Sequence, residues 1–217
     1  MQLINKTTNR GDTLIEVMFA MAIFSLVAVG GLSIMNKGVA TAQRALEITQ
    51  VKGQIDAQAE TLRFLNSSYI SAFSSGATNV LNTPAKEWSD MITYIDSSSH
   101  LSATSFGDGK SCQSYLTTAT THKSIFIFDT QNAKFIRKNI IPFNLATSSA
   151  QIKYSGAVVS STEGLWIEAI RQKNTFAPAT QKNADYIDFH IQACWDAPGS
   201  TVPVTLATVV RLYEPTK

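Results

Sequence analysis

The sequence predicts an α+β protein: a long N-terminal helix whose first half suits a membrane and whose second half packs on an antiparallel β-sheet. Three observations predict it. Residues 17–35, VMFAMAIFSLVAVGGLSIM, carry no charge. Residues 36–66 hold no proline and keep a helical apolar pattern. Beyond residue 120, short segments rich in β-branched and aromatic residues follow one another, parted by turn residues. The chain of 217 residues is 44% apolar and only 16% charged, where about 25% charged is usual for soluble chains. The deficit is concentrated in that one apolar run. Whole-chain disorder is excluded by the apolar content and the net charge of +2. The near balance of 18 Lys+Arg against 16 Asp+Glu argues against a protein that coats nucleic acid.

The apolar run comes first. At about 1.5 Å per residue it is long enough to cross a ~30 Å hydrocarbon core as a helix. Ser25 and Ser33 can return their hydroxyls to the preceding turn, and Gly30-Gly31 is tolerated because lipid penalises unpaired backbone. A secretory signal would have an h-region of about 7–15 residues followed by a small-residue cleavage site; here the run is longer and helical character continues past it. A buried core helix is the other alternative, and the run is long for one. A membrane span is the better reading. In 36–66, Val51, Ile55, Leu62 and Leu65 fall on one stripe, with Lys52, Asp56, Glu60 and Arg63 on other faces. Lys6 and Arg10 precede the span, so its N-terminal end stays in the cytoplasm and everything after about residue 36 lies outside.

Gly11-Asp12-Thr13-Leu14-Ile15-Glu16 stands immediately before the span. A glycine, four residues and a glutamate opening an apolar helix, after the short polar leader 1–11, resembles the processing site of type IV prepilins and type II secretion pseudopilins. The resemblance covers roughly residues 1–66. It implies cleavage between Gly11 and Asp12 by a prepilin peptidase, N-methylation of the new terminus, and incorporation into a filament with other pilin or pseudopilin subunits. An assembly platform and an ATPase are further implied partners, beside the lipid bilayer. Loss of Lys6 and Arg10 with the leader leaves acidic and basic residues in equal number.

Glu16 has two readings. A carboxylate at the centre of a membrane helix costs about 2.5–3.5 kcal/mol, less near an end, so one that close to a span is a functional candidate. It can snorkel to the headgroups and favour the helix N-terminal dipole. Alternatively, as the resemblance implies, it neutralises the α-amine of a neighbouring processed subunit and sets axial register. Two positions depart from the family pattern. Asp12 stands where many pilins place Phe or Met, which puts methylation and the contact to a neighbour's Glu16 in question. Ser33 stands where major pilins often carry proline, leaving Gly30-Gly31 as the weak point of the helix. Both departures fit a minor subunit.

Residues 67–121 turn rich in Ser, Thr, Asn and Gly; 71–75, 97–99 and 102–111 read as loops, and 85–94 as a short helix. Strands are expected at 124–128, 134–141, 151–154, 165–171, 186–195 and 205–213. Residues 129–132 make a hairpin turn between the first two, and 197–200 a turn before the last. The expected organisation is a leader over 1–11, a membrane or filament-core helix over 12–35, its amphipathic continuation over 36–66, and an extracytoplasmic β-rich domain over 67–217. Cys112 and Cys194 lie beyond the span, in an oxidising compartment where a bridge is permitted. The expectation is a structural disulfide pinning an irregular 102–121 segment to the sheet; the alternative is two buried thiols.

Nothing in the sequence points to catalysis. His100, His122 and His190 are scattered, with no HExxH or HxxxH spacing and no GxSxG elbow. Gly107-Asp108-Gly109 reads as a turn, lacking the spaced acidic ligands of a calcium loop. Asp185 and Asp188 are close in sequence without a cleft to serve. His190 shares a strand face with Asp188 and Gln192 that reads as solvated. No cofactor and no metal are expected. Lys134, Arg137 and Lys138, interleaved with Phe135, form a small basic cluster that reads as edge-strand protection rather than a nucleic-acid site. The function expected is a structural subunit, minor rather than major, of a type IV pilus or type II-like pseudopilus. The alternative is a membrane-anchored surface binding module that does not assemble, with DNA among its possible contacts.

Overall fold

The computed structural model describes residues 12–97, 102–107, 109–121, 125–172, 185–197 and 200–215. It has the expected α+β class, a long N-terminal helix and an antiparallel sheet. The chain divides into two compact units, Met1–Ala45 and Leu46–Lys217. In the first, the described residues belong to helix α1 (Asp12–Phe73) and residues 14–45 are all exposed.

In the second unit, here the head, α1 continues with one face buried. Val51, Leu62 and Leu65 are wholly buried and Ile55 nearly so, on the stripe the periodicity predicts. Each such side chain contributes about 1.5–3 kcal/mol on leaving water. The same face carries Gln58, also fully buried. Its amide meets the backbone of Phe128 reciprocally: Nε2 donates to the Phe128 carbonyl at 2.8 Å and Oε1 accepts the Phe128 N–H at 2.8 Å. The helix runs on to Phe73, past the expected end at residue 66. The serines suggesting a loop are instead satisfied within the helix: Ser67 and Ser68 donate to the Phe64 carbonyl and Ser71 to that of Ser67, each at 2.9 Å.

Helix α2 (Pro84–Asp96) covers the expected 85–94 segment. Thr83 caps it by accepting the Lys86 N–H, and proline at the first turn suits a position with no intrahelical partner for its nitrogen. Ala85, Trp88, Met91 and Ile95 form its buried face. Helix α3 (Cys112–Thr121) corrects the expectation of an irregular 102–121 segment. Its buried residues, Cys112, Tyr115, Leu116 and Ala119, stand at i, i+3, i+4 and i+7, a helical period carried by a Ser/Thr-rich string.

Eight strands follow: β1 (Phe126–Asp129), β2 (Lys134–Arg137), β3 (Phe143–Asn144), β4 (Gln151–Ser155), β5 (Val158–Glu163), β6 (Leu165–Gln172), β7 (Tyr186–Trp195) and β8 (Val204–Tyr213). Strand β2 stops at Arg137, short of the expected 141, and β3 and β5 were not anticipated. The main sheet has the order β2-β1-β6-β7-β8, antiparallel throughout; β3-β5-β4 forms a smaller sheet with β3 parallel to β5. The hairpin turn at 129–132 is built on Asp129, whose carboxylate accepts the Gln131 N–H at 3.0 Å and the Asn132 side-chain amide at 2.8 Å. The turn expected at 197–200 lies partly outside the described residues; the Ser200 N–H donates to the Ala197 carbonyl at 3.1 Å.

The sheet is covered on both faces. Ile167, Ala169, Phe189, Ile191 and Trp195 join the α1 stripe in the main core. On the other face, Trp166 and Cys194 meet Cys112, Tyr115, Leu116 and Ala119 of α3 in a separate cluster. Gly164 holds the two sheets together: its N–H donates to the Asn144 carbonyl and its carbonyl accepts the Cys194 N–H, both at 2.8 Å. Its φ is +62°, and a Cβ there would lie 2.1 Å from the Cys194 carbonyl oxygen, so only glycine fits. The sheet borders differ. Strand β2 is four residues long, exposes Lys134 and Arg137, and has its Phe135 N–H taken by Glu87 of α2 at 3.1 Å. Strand β8 is ten residues long, and among the described residues no strand pairs with its outer border.

Candidate functional site

The stem, residues 14–35, presents its whole circumference. Phe24 is 70% exposed, Leu26 76% and Ile34 74%. The helix containing them has a mean hydropathy of 2.3 in its most apolar window, enough in length and composition to cross a membrane. The backbone is satisfied internally, as lipid requires; Ser25 adds a bond from its hydroxyl to the Met21 carbonyl at 2.7 Å. A side chain at Gly30 or Gly31 would enter open space among the described residues.

Glu16 lies in the second turn of α1 and is exposed. It is the one charged residue between Asp12 and Lys37. Asp12 opens the helix. Gly11 and the leader lie outside the described residues. What this arrangement supplies chemically is a helix with lipid-compatible sides and two carboxylates, Asp12 and Glu16, near its N-terminus, where the helix dipole favours negative charge.

The head carries the remaining candidates. Cys112 and Cys194 form a disulfide with a Cα–Cα distance of 5.5 Å, and both are 1% exposed. It ties α3 to β7, rather than an irregular segment to the sheet. His100, His122 and Asp108 lie outside the described residues. His190 is half-buried on β7, opposite Glu168 of β6. Its strand neighbour Gln192 is 3% exposed, which corrects the solvated-face reading. The covering residues 102–107 and α3 bury that end of the face. Glu168 is itself buried there, accepting the Thr104 N–H at 2.7 Å and the Trp166 indole N–H at 2.9 Å. The Gln192 side-chain amide donates to the Thr104 carbonyl at 2.6 Å.

The basic cluster sits on the β2 border. Arg137 lies over the rings of Tyr94 at 5.6 Å and Phe135 at 5.9 Å, and Lys138 donates to the Thr120 carbonyl. Desolvation raises the Tyr94 hydroxyl above its ordinary value, against the lowering effect of Arg137. At the far end of the sheet Arg171 joins Glu214 and Asp96. Arg211 grips Asp188 through Nε at 2.7 Å and Nη2 at 2.8 Å while stacking on Tyr186 at 4.1 Å. Those hydrogen bonds hold the Asp188 carboxyl below the ordinary aspartate value, against the raising effect of its burial. These arrangements orient and lock the head. One hollow of about 220 Å³, lined by Phe106, Lys110, Tyr115 and Thr205 among others, holds no acid–base pair among the described residues. Among the described residues, no group of three or more His, Cys, Asp or Glu is placed to hold a metal ion. Gln58, Glu168 and Arg171 were not singled out from sequence. A glutamine inside an apolar stripe and a glutamate inside a strand of apolar residues were the signals available.

Residues 6–32 match the family described as the prokaryotic N-terminal methylation motif, which begins in the leader and ends within the stem. Over these residues the chain is similar to the N-terminal segment of type IV pilins and pseudopilins. No curated protein and no solved structure matches the chain. The pilin motif therefore rests on the stem, and the head is read from its own geometry. Pilins are typically structural rather than enzymatic, and the uncovered apolar helix behind a methylation motif fits a membrane-anchored protein that assembles into a filament.

Proposed function

We propose that this chain is a structural subunit, minor rather than major, of a type IV pilus or type II-like pseudopilus. The observation that carries the reading is the stem: a methylation motif continued by an apolar helix whose side chains are exposed all round. A helix with that much exposed apolar surface is stable in only two settings, lipid and a bundle of similar helices, and a filament subunit passes from one to the other. The chain is inserted once, with residues 1–11 in the cytoplasm and the head outside. A prepilin peptidase cuts between Gly11 and Asp12, the stem over 12–35 and its continuation over 36–66 enter the filament, and the domain over 67–217 faces outward. An assembly platform and ATPase drive the transfer. Glu16 pairs with the new α-amine of a neighbour, because two opposite charges placed together in a dry core cost far less than either alone. Asp12, beside its own α-amine, partly satisfies that amine within the subunit, which suits a position made once rather than the repeating one.

Intact-mass spectrometry of membrane-extracted protein tests this. A mass lacking residues 1–11 is expected, and a retained leader in the working form refutes the reading. Glu16→Val should leave membrane insertion intact and reduce recovery in sheared filaments; equal recovery refutes the role given to Glu16.

A further inference from the structure

We propose that residues 102–107 and α3 form a cover over the outer face of the main sheet that opens as one unit when the Cys112–Cys194 bond is reduced, while the core on the opposite face stays closed. The inference stands on the head alone, independent of how the stem is used. Four observations lead to it. First, the apolar contacts of the cover form their own small cluster around Trp166, separate from the core built on the α1 stripe. Parting them takes nothing from Val51, Ile55, Leu62 or Leu65. Second, α3 has ten residues and the sequence CQSYLTTATT, rich in β-branched and hydroxylated residues that form helix weakly. A helix this short is marginal in water without docking, so its structure and its seat are lost together.

Third, the seam under the cover is incompletely satisfied. Thr104 lies across Glu168 and Gln192, its N–H donating to one and its carbonyl accepting from the other, yet among the described residues its own Oγ1 is buried without a partner, as is Gln192 Oε1. Each buried polar atom left unpaired weakens the closed state relative to one in which water reaches it. On the other face Gln58 has both ends of its amide paired, and the one such unpaired atom there among the described residues is the indole nitrogen of Trp88. Fourth, the disulfide is the covalent tie across this seam, and both its sulfurs are buried. Beneath the cover, β7 keeps its ladders to β6 and β8, which involve no residue of the cover.

The chemistry balances with a dithiol as reductant. One of its thiolates attacks a cystine sulfur to give a mixed disulfide, and its second thiol then displaces the remaining protein sulfur. The reductant gives up two electrons and leaves as a disulfide, and Cys112 and Cys194 are left as two protonated thiols. With the tie gone, Trp166, Glu168 and Gln192 become accessible on a sheet that remains folded.

Hydrogen exchange read by mass spectrometry, on the full chain in detergent micelles with and without dithiothreitol, tests the inference. Amides of 102–107 and α3 should exchange about 30-fold faster or more after reduction, the low end of what closing a long loop by a disulfide contributes. Peptides from β6, β7 and residues 51–65 should keep their protection. The paired substitution Cys112→Ser and Cys194→Ser should give the same pattern without reductant, and decides the matter if the native bond resists attack. Unchanged exchange in the cover, or loss of protection over the whole head together, overturns the proposal.

Discussion

The reciprocal bond between Gln58 and Phe128 offers a sharp test of what holds α1 to the sheet. Gln58→Met keeps the length and nearly the volume of the side chain, so no cavity opens and the apolar stripe is undisturbed. What changes is confined to two atoms: the N–H and the carbonyl of Phe128, both in a fully buried residue, lose their partners. A buried group left unpaired costs about 1–3 kcal/mol, so the pair is expected to cost about 2–6 kcal/mol. For a domain of this size 1 kcal/mol corresponds to about 2–4 °C in the unfolding midpoint, which places the variant about 4–24 °C below the parent. The assay is thermal unfolding of the detergent-solubilised chain followed by tryptophan fluorescence, because Trp88, Trp166 and Trp195 are all fully buried in the head. Helical signal from the stem does not enter that reading. Midpoints compared at one heating rate suffice even if unfolding is irreversible. A midpoint within about 2 °C of the parent would mean that apolar packing alone fixes the helix, and the account given of Gln58 would be wrong.

Other outcomes follow from the same geometry. Gly164→Ala should destabilise the head by at least about 2 kcal/mol, since its Cβ meets the Cys194 carbonyl with no flexible side chain to give way; a wild-type denaturation midpoint refutes this. Thr104→Val removes a buried hydroxyl that has no partner while keeping its shape, so stability should hold or rise by up to about 1 kcal/mol, and a clear loss in urea denaturation counts against the seam as described. Arg211→Gln should return the Asp188 carboxyl toward its ordinary value, read by NMR titration of the carboxyl carbon. Because the folded-state value is depressed, the pair stabilises the head above the ordinary aspartate range and loses that contribution as pH falls through the folded value. The variant should therefore show a flatter decline of stability on acidification, and an unchanged pH profile refutes the coupling.

How much of this was legible in the sequence varied with the physical signal. The α1 stripe stood out because Val51, Ile55, Leu62 and Leu65 repeat at helical spacing between charges. The helix expected at 85–94 falls inside α2, but its Thr83-Pro84 start, a capping hydroxyl and a proline where no N–H is needed, went unread. Strands β7 and β8 are long and bounded by turn residues, and their limits fall within a residue of expectation. Helix α3 was hidden because Ser and Thr dominate its composition, although Cys112, Tyr115, Leu116 and Ala119 carry the period. Strand β5 reads VVSSTE, too polar to signal a strand until a partner supplies the ladder. Serines 67, 68 and 71 suggested a loop because their hydroxyls compete for backbone in water; inside a helix the same hydroxyls bond to carbonyls a turn back. At the stem, Glu16 drew notice as a charge beside an apolar run. Gln58 and Glu168 did not, since their partners lie 70 and 64 residues away in the chain.

The unequal borders of the main sheet bear on how the head behaves when crowded. A sheet grows into a fibre only if every addition leaves a receptive flank behind it. Here one flank is a four-residue strand stoppered by a glutamate from a helix, and the other is ten residues long and open to strands among the described residues, with only the Asn66 amide at its Tyr213 end. Two heads that met along their open flanks would turn both stoppered ones outward, and growth would end there. Lateral sticking of this kind saturates at pairs.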